Sequence, residues 1–204
     1  EGLPAFQVDS STGRILQHSR GCGNSGILLF AFELDPAIAA RWVRAYETHF
    51  WKDTGWIAGF AEMPHGTQTG FQDVDSGPVL FGLGSVASAF GIGAARSAGR
   101  LDLAVPLTLE AVACAWPSPF GFLVPALLGK AAADSACLGE IALLFSMTRP
   151  VRSPEIVPFS GRIPGIVWLL LAAYAGLGLA IIASEIRRCR RLYRTARPRT
   201  GPPS

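Results

Sequence analysis

Two carboxylates stand two residues apart in the segment QDVDSGP, as Asp73 and Asp75. Residues at this spacing in an extended chain project to the same side, and one paired carboxylate raises the pKa of the other, which can then act as a general acid. Glu62 and His65 are titratable groups a few residues earlier in the chain. We therefore expect an acid–base site in which the aspartate pair carries the catalysis and Glu62 and His65 support it.

The loop before the aspartates offers apolar walls for such a site. Its sequence, KDTGWIAGFAEMPHGTQTG, has the period of neither a helix nor a strand, and long loops in compact domains are often functional. The residues expected to bind the substrate are Trp56, Phe60, Phe71 and Cys22. Cys22 precedes a helix N-terminus, where the pKa of a thiol can be lowered. In the alternative interpretation the aspartates only cap a helix, and Cys22 and His65 are structural.

The stretch 77–95 follows the acids with 19 uncharged residues, and three interpretations of it compete. A membrane span is disfavoured because the stretch is rich in glycine and serine. A dinucleotide-binding loop is suggested by its GxGxxA pattern, with an acid twenty residues beyond the first glycine, but no buried strand precedes that acid. We favour a buried helix that is capped by Ser76 and has Pro78 in its first turn.

This predicted helix has two different faces. One face carries small residues, at Gly77, Gly84, Ser88, Gly91 and Ala95. Another carries bulky residues, at Val79, Leu83, Val86 and Phe90. Such a pattern indicates a helix that is packed on both sides.

The rest of the chain before residue 148 is also predicted to be helical. The first 20 residues are an extended lead-in or a hairpin around the turn SSTG, and nothing alternates with period two for long. Helices are expected at 24–34, at 36–51 with Asp35 as cap, from about Leu103 with Asp102 as cap and Pro106 in the first turn, and at 130–147. The predicted fold class is therefore all-α.

The segment 163–184 carries the clearest signal in the chain. It has 22 residues without a charge, and a helix needs about 20 to cross a bilayer. Seven arginines follow it in 185–204, against three in the upstream flank at Arg149, Arg152 and Arg162. Cations beside a span tend to stay cytoplasmic, so we expect a single-pass membrane protein with its N-terminal domain outside.

The basic character of the chain belongs to its tail. Residues 1–184 carry 11 Lys and Arg against 14 Asp and Glu, whereas 185–204 carry seven Arg against one Glu. This tail adjoins a span and contains a single tyrosine, so we expect it to contact the bilayer and its anionic lipid headgroups and not nucleic acid. The predicted organisation is a lead-in (1–20), a helical domain (21–148), a Pro-rich linker (149–162), a transmembrane helix (163–184) and a basic tail (185–204).

The four cysteines, Cys22, Cys114, Cys137 and Cys189, are scattered and are not joined by clustered histidines. This spacing does not fit a zinc site, and we expect no metal and no cofactor. A disulfide between the second and third is the alternative to two buried thiols. The first residues lack the features of a signal peptide, so we expect the chain to be the C-terminal part of a longer protein or a processed product.

Three stretches together, RGCGNSGILLFAFELDPAIAARWVRAYETHFW, FAEMP and DVDSGPVLFGLGSVASAFGIGAAR, resemble the helical toroid proteins related to linalool dehydratase/isomerase. These include membrane-attached bacterial relatives of unknown activity. The resemblance covers roughly residues 20–147 and implies part of an (α/α)6 barrel with its active site in loops at one end. Five soluble helices are too few to close twelve, so it also implies an N-terminal half of the same toroid as a partner.

The related dehydratase/isomerase acts by acid–base chemistry on a small terpene alcohol, and similar toroids process carbohydrates with paired carboxylates. The residues of that enzyme cannot be placed here by motif, so neither its activity nor its substrate carries over. We expect a membrane-anchored, extracytoplasmic domain, the C-terminal part of an enzyme that acts on a glycan or on a lipid-like or terpenoid alcohol. The alternative is a non-catalytic membrane scaffold that packs against a partner protein.

Overall fold

The computed structural model describes residues 2–67, 76–118, 121–123 and 138–196. These residues are mostly helical, as predicted, and they form six helices. The helices are α1 (Gly21–Leu34), α2 (Pro36–Phe50), α3 (Ser85–Ser97), α4 (Leu101–Cys114), α5 (Leu138–Thr148) and α6 (Gly165–Ala196). Part of the helix predicted at 130–147 falls outside the described residues.

The described residues also contain eight short strands, which corrects the all-α expectation. The strands pair as four antiparallel hairpins: β1 (Gln7–Val8) with β2 (Ile15–Gln17), β3 (Trp51–Asp53) with β4 (Ala58–Phe60), β5 (Val79–Leu80) with β6 (Leu83–Gly84), and β7 (Trp116–Ser118) with β8 (Gly121–Leu123). Each strand has only two or three residues, too few for a period-two pattern. Turn residues set these hairpins, and the first of them is the hairpin anticipated around SSTG.

Helix α2 begins as the sequence predicts. Asp35 Oδ1 accepts hydrogen bonds from the backbone amides of Ala37 (2.9 Å) and Ile38 (3.0 Å), and Pro36 occupies the first helical position. Helix α1 begins at Gly21, three residues earlier than predicted. Trp51, the predicted last residue of α2, instead begins β3. The predicted loop that follows starts with the β3–β4 hairpin.

The predicted helix cap at Ser76 is wrong. Residues 79–84 form the β5–β6 hairpin, and α3 begins only at Ser85. Phe81 (φ 54°) and Gly82 (φ 80°) both have left-handed backbone conformations, the combination that a two-residue hairpin turn requires. Pro78 therefore precedes a strand, and its backbone oxygen accepts from Ser85 N.

Helix α4 begins at Leu101, so Asp102 lies in its first turn and is not its cap. Asp102 instead pairs with Arg100, whose guanidinium also binds Glu47 of α2. Pro106 lies inside the helix, beyond the predicted first turn. The residue before this helix is thus held by a partner that is distant in sequence.

Helix α3 lies at the centre of the domain and packs against α1, α4 and α5. Two glycines of α3 permit close packing on different sides, because a β-carbon at Gly91 would overlap the Phe60 ring of β4 and one at Gly93 would overlap Leu29 of α1. Phe60 stacks on Tyr46, with ring centroids 4.4 Å apart. Every sheet of the described residues is a two-stranded antiparallel hairpin, so the dinucleotide fold, which needs a parallel sheet, is wrong. The span at 77–95 is also wrong, because the β5–β6 hairpin interrupts that stretch.

The chain divides into two compact units, 1–167 and 168–204. Helix α6 starts in the first unit and continues through the arginine-rich segment to Ala196. Its part Gly165–Tyr193 is, among the described residues, the one helix that is long and apolar enough to cross a membrane. This finding agrees with the predicted membrane helix at 163–184.

Candidate functional site

The predicted aspartate pair lies outside the described residues. Asp73, Asp75 and Phe71 all fall in the segment between Thr67 and Ser76, so their catalytic and substrate-binding roles stay predictions. The structure places the other predicted site residues in three different environments. Glu62 and Cys22 come together in the interior, Phe60 packs in the core, and Trp56 and His65 lie apart from them.

Glu62 is the centre of a buried polar cluster at the start of α1. Its side chain is 1% exposed. Glu62 Oε1 lies 2.9 Å from Arg20 Nη2 and accepts a hydrogen bond from Arg20 Nε at 3.0 Å. Cys22 donates to the same carboxylate, through its backbone amide to Oε2 and through Sγ to Oε1, both at 3.2 Å. The backbone oxygen of Glu62 also accepts from Gly21 N at 2.8 Å.

This geometry makes the Glu62 carboxylate a cap for α1 that comes from a distant loop. Burial raises the pKa of Glu62, and the hydrogen bond from Cys22 and the charge of Arg20 oppose that rise. The helix N-terminus and the guanidinium both favour the ionised form. The cluster is enclosed, and its donors and acceptors serve one another, which describes a structural site better than a site open to substrate.

The remaining predicted residues are spread around the β3–β4 hairpin. His65 is exposed, and its Nε2 lies 2.9 Å from the backbone oxygen of Trp51. Phe60 is 2% exposed and contacts Tyr46 and Trp51, so it has no face open to a ligand. Trp56 is 58% exposed and lies against Gly165, at the start of α6.

A cavity of about 420 Å³ lies elsewhere, within the first unit. Its volume is in the range of small-molecule sites, and its wall is almost wholly apolar. The β5–β6 hairpin, α3, α4, α5 and the first turn of α6 contribute residues to it. Representative lining residues are Leu83, Val86, Phe90, Leu107, Leu143 and Ile166.

Glu110 is the only charged residue among the described residues that line the cavity. One of its oxygens, Oε1, accepts from the backbone amide of Ala58 at 2.8 Å. Burial raises the pKa of Glu110 to about 7, and the negative charge of Asp53 adds to this while the Ala58 amide opposes it. A carboxyl with this pKa can both donate and accept a proton near neutral pH.

Cys114 lies one helical turn beyond Glu110 and also lines the cavity. Burial and the neighbouring charge of Glu110 raise the pKa of this thiol, so it stays protonated. The predicted disulfide partner Cys137 falls outside the described residues. The site therefore combines a proton-exchanging carboxyl with a neutral thiol in an apolar enclosure.

Glu110 and Cys114 are not among the residues that the sequence predicts to be functional. Glu110 was visible as the one acid of the apolar stretch LAVPLTLEAVAC, which follows Asp102, and this was the available signal. A buried acid without a basic partner nearby in sequence is expensive, which marks it as a candidate functional group. Those predicted site residues that the structure describes do not line this cavity.

Comparison of the chain with protein-family models, with curated proteins and with solved structures finds no match. The functional assignment of this chain therefore rests on the geometry of its own residues. In the part of the chain that the structure describes, no three His, Cys, Asp or Glu side chains are grouped so that they could hold a metal ion.

Proposed function

We propose that this chain is a membrane-anchored helical domain that binds a lipid-like or terpenoid alcohol in the cavity and acts on it by acid–base chemistry. The observation that carries the proposal is Glu110, a carboxyl with a pKa of about 7 in an otherwise apolar enclosure. In this role Glu110 exchanges a proton with the hydroxyl oxygen of the substrate. The apolar wall excludes water and strengthens that interaction.

The composition of the wall favours a lipid-like alcohol over a glycan. A sugar presents many hydroxyl groups, and each one buried without a partner costs free energy. Within the described part of the chain, the polar lining side chains besides Glu110 are Ser85, Ser88 and Cys114. Ser88 Oγ is already within hydrogen-bonding distance of both the amide (3.1 Å) and the oxygen (3.5 Å) of Phe60. Too few polar groups remain to bind a sugar.

The aspartate pair keeps a proposed role beside this cavity. Asp75 precedes Pro78, a lining residue, by three positions in the sequence. We propose Asp73 and Asp75 as an additional acid–base or substrate-binding pair. Glu62 and His65 are assigned supporting, structural roles in this account.

The wider architecture is part of the same proposal. Helix α6 anchors the domain, the domain lies outside the cytoplasm, and the arginine-rich tail binds anionic headgroups on the cytoplasmic side. The likeness to the dehydratase/isomerase toroids is the reason to propose an (α/α) toroid that is completed by an N-terminal half. The toroid then supplies the rest of an active site around the cavity.

The alternative function is a membrane scaffold, and one observation favours it. Helices α1 and α5 expose a shared apolar face, in which the rings of Phe30 and Phe145 lie 6.0 Å apart. Its other exposed members are Ile27, Leu34, Ile141 and Leu144. Exposed apolar surface of this kind often marks a protein interface. A partner protein or the other half of a toroid would cover it.

Turnover distinguishes the enzyme from the scaffold. The full chain in detergent is incubated with terpenoid and straight-chain alcohols, and the products are identified by gas chromatography and mass spectrometry. We expect wild type to convert members of one class and Glu110→Gln to lose at least about 100-fold in rate, the usual contribution of a general acid or base. Glu155→Gln, which changes an exposed acid, is the control. Equal rates for wild type and Glu110→Gln would remove the basis of the proposal.

A further inference from the structure

The tip of the β5–β6 hairpin is an apolar projection that the domain does not bury. Leu80 is 51% exposed and Phe81 is 87% exposed, although both line the rim of the cavity. Phe81 also has a φ of 54°, a left-handed conformation that is unfavourable for a bulky residue. A phenylalanine here therefore adds backbone strain and gains little burial within the fold.

The first turn of the membrane helix lies on the same cavity. Ile166 lines it, and the start of α6 is tied to the β3–β4 loop by hydrogen bonds from Gly165 N to Gly55 O (3.1 Å) and from Ile166 N to Trp56 O (2.9 Å). Gly165 is required there because a β-carbon would overlap the Trp56 ring. Exposed tryptophan next to a span is typical of the membrane interface.

These two features lie on one cavity. If Gly165–Tyr193 crosses the membrane, then Ile166 lies where the span begins, and Leu80 and Phe81 line the same cavity as Ile166. Leu80 and Phe81 would then meet acyl chains instead of water. Insertion into lipid offsets the strain and exposure at Phe81, because it removes the ring from water.

The lining also restricts the head group of the ligand. Among the described residues that line the cavity there is no Lys, Arg or His, so a phosphate or carboxylate would be buried without a cation beside Glu110. Ser85 Oγ is buried and has no hydrogen-bond partner among the described residues. Glu110 and Ser85 both line the cavity and can each bind a hydroxyl, and the wall accepts the hydrocarbon chain.

We propose that Leu80 and Phe81 insert into the adjacent leaflet and that the cavity takes a long-chain or isoprenoid alcohol directly from the bilayer. The hydroxyl of the ligand binds Glu110, and its chain lies along α3, α4 and α5. This inference rests on the proposed function and adds to it the source of the substrate and the entry route. It also assigns Phe81 a membrane-binding role.

Photolabelling tests the route. The full chain is reconstituted in phosphatidylcholine vesicles that contain a long-chain alcohol with a diazirine group, and labelled peptides are mapped by mass spectrometry. We expect labels on cavity residues such as Leu83 and Leu143. Phe81→Asn should lower this labelling by about tenfold, since each 1.4 kcal/mol of lost apolar insertion is one factor of ten. The same variant should raise the melting temperature, because asparagine tolerates positive φ.

The matched control is Ile15→Asn, which changes an exposed apolar residue (53%) in β2, away from the cavity lining. We expect it to leave labelling unchanged. Labelling of Phe81→Asn at the wild-type rate would overturn insertion of the hairpin.

A second arm separates this inference from the function on which it depends. Here the same probe is supplied from a cyclodextrin carrier to the full chain in probe-free detergent micelles. Cavity labelling in this arm but not from the bilayer would overturn the leaflet route and leave alcohol binding standing. Absence of cavity labelling in both arms would overturn the proposed function as well.

Discussion

Glu110 is the residue on which the account of the site depends, and its pKa predicts a pH effect on stability. The folded protein holds this proton up to a pH of about 7, whereas the unfolded chain releases it near the ordinary value of 4.5. The folded state is thus favoured below pH 4.5 and loses that advantage as the pH rises to about 7. Glu110→Gln removes the titration and should flatten the change in unfolding free energy between pH 5 and pH 8. Urea unfolding of both proteins measures the difference, and an unchanged slope in the variant would contradict the assignment.

Glu62 predicts a different result, because its role is structural. Glu62→Gln leaves the Arg20 guanidinium buried without its ionic partner, a change that costs about 3–5 kcal/mol when such pairs are broken. Arg20→Met combined with Glu62→Gln should cost less than the sum of the two single changes. Denaturant unfolding of the four proteins gives this coupling free energy. Simple additivity would show that the pair does not act as a unit.

Sequence reasoning succeeded for residues whose partners are near in the chain and failed where partners are distant. Asp35 caps α2 through amides two and three positions ahead, which a local pattern reveals. Glu62 meets Arg20 across 42 positions, and Glu110 meets Ala58 across 52. No periodicity in the sequence records such pairings. Arg100 shows the same limit, since it pairs with Asp102, two positions away, and also with Glu47, 53 positions away.

At the scale of elements, α3 depends on glycine where other elements press against it. Gly91→Ala should lower the unfolding free energy by about 1–3 kcal/mol, because the new methyl group forces the Phe60 ring to move. Gly26→Ala in α1 is the matched control, since nothing lies within 4 Å of the added β-carbon. That change should stabilise the protein by about 0.5–1 kcal/mol, the gain expected for alanine over glycine in a helix. A gain of similar size in both variants would point to helix propensity alone and would contradict the packing role of Gly91.

The small-residue pattern of 77–95 thus predicted a packed helix correctly but gave the wrong start. Spacing reports which side of an element is crowded, and α3 is crowded by α1, α4 and α5. It does not report a turn, and the Phe81–Gly82 turn contains a residue that rarely adopts this conformation. The hairpin was therefore hidden within a segment that otherwise continues the helical pattern.

At the scale of the whole molecule, the membrane helix predicts a topology. The native Cys189 lies beyond the span and is exposed, and Ser11→Cys places a thiol in the exposed lead-in. A membrane-impermeant maleimide should label the Ser11→Cys variant in intact cells and Cys189 only after permeabilisation. The labelling that appears after permeabilisation should be lost in Cys189→Ser, which assigns it to Cys189. Labelling of Cys189 in intact cells, with position 11 protected, would reverse the orientation.

The most direct measurement of the central claim is a pH titration of the Glu110 carboxyl. The chain is labelled with carbon-13 at its glutamate carboxyl groups. The resonance that disappears in Glu110→Gln is then assigned to Glu110. The account predicts half-protonation at about pH 7 in the ligand-free protein and at a still higher pH when a long-chain alcohol fills the cavity and excludes water. Half-protonation near 4.5, unchanged by the alcohol, would contradict the claim that this carboxyl holds a proton in an apolar site.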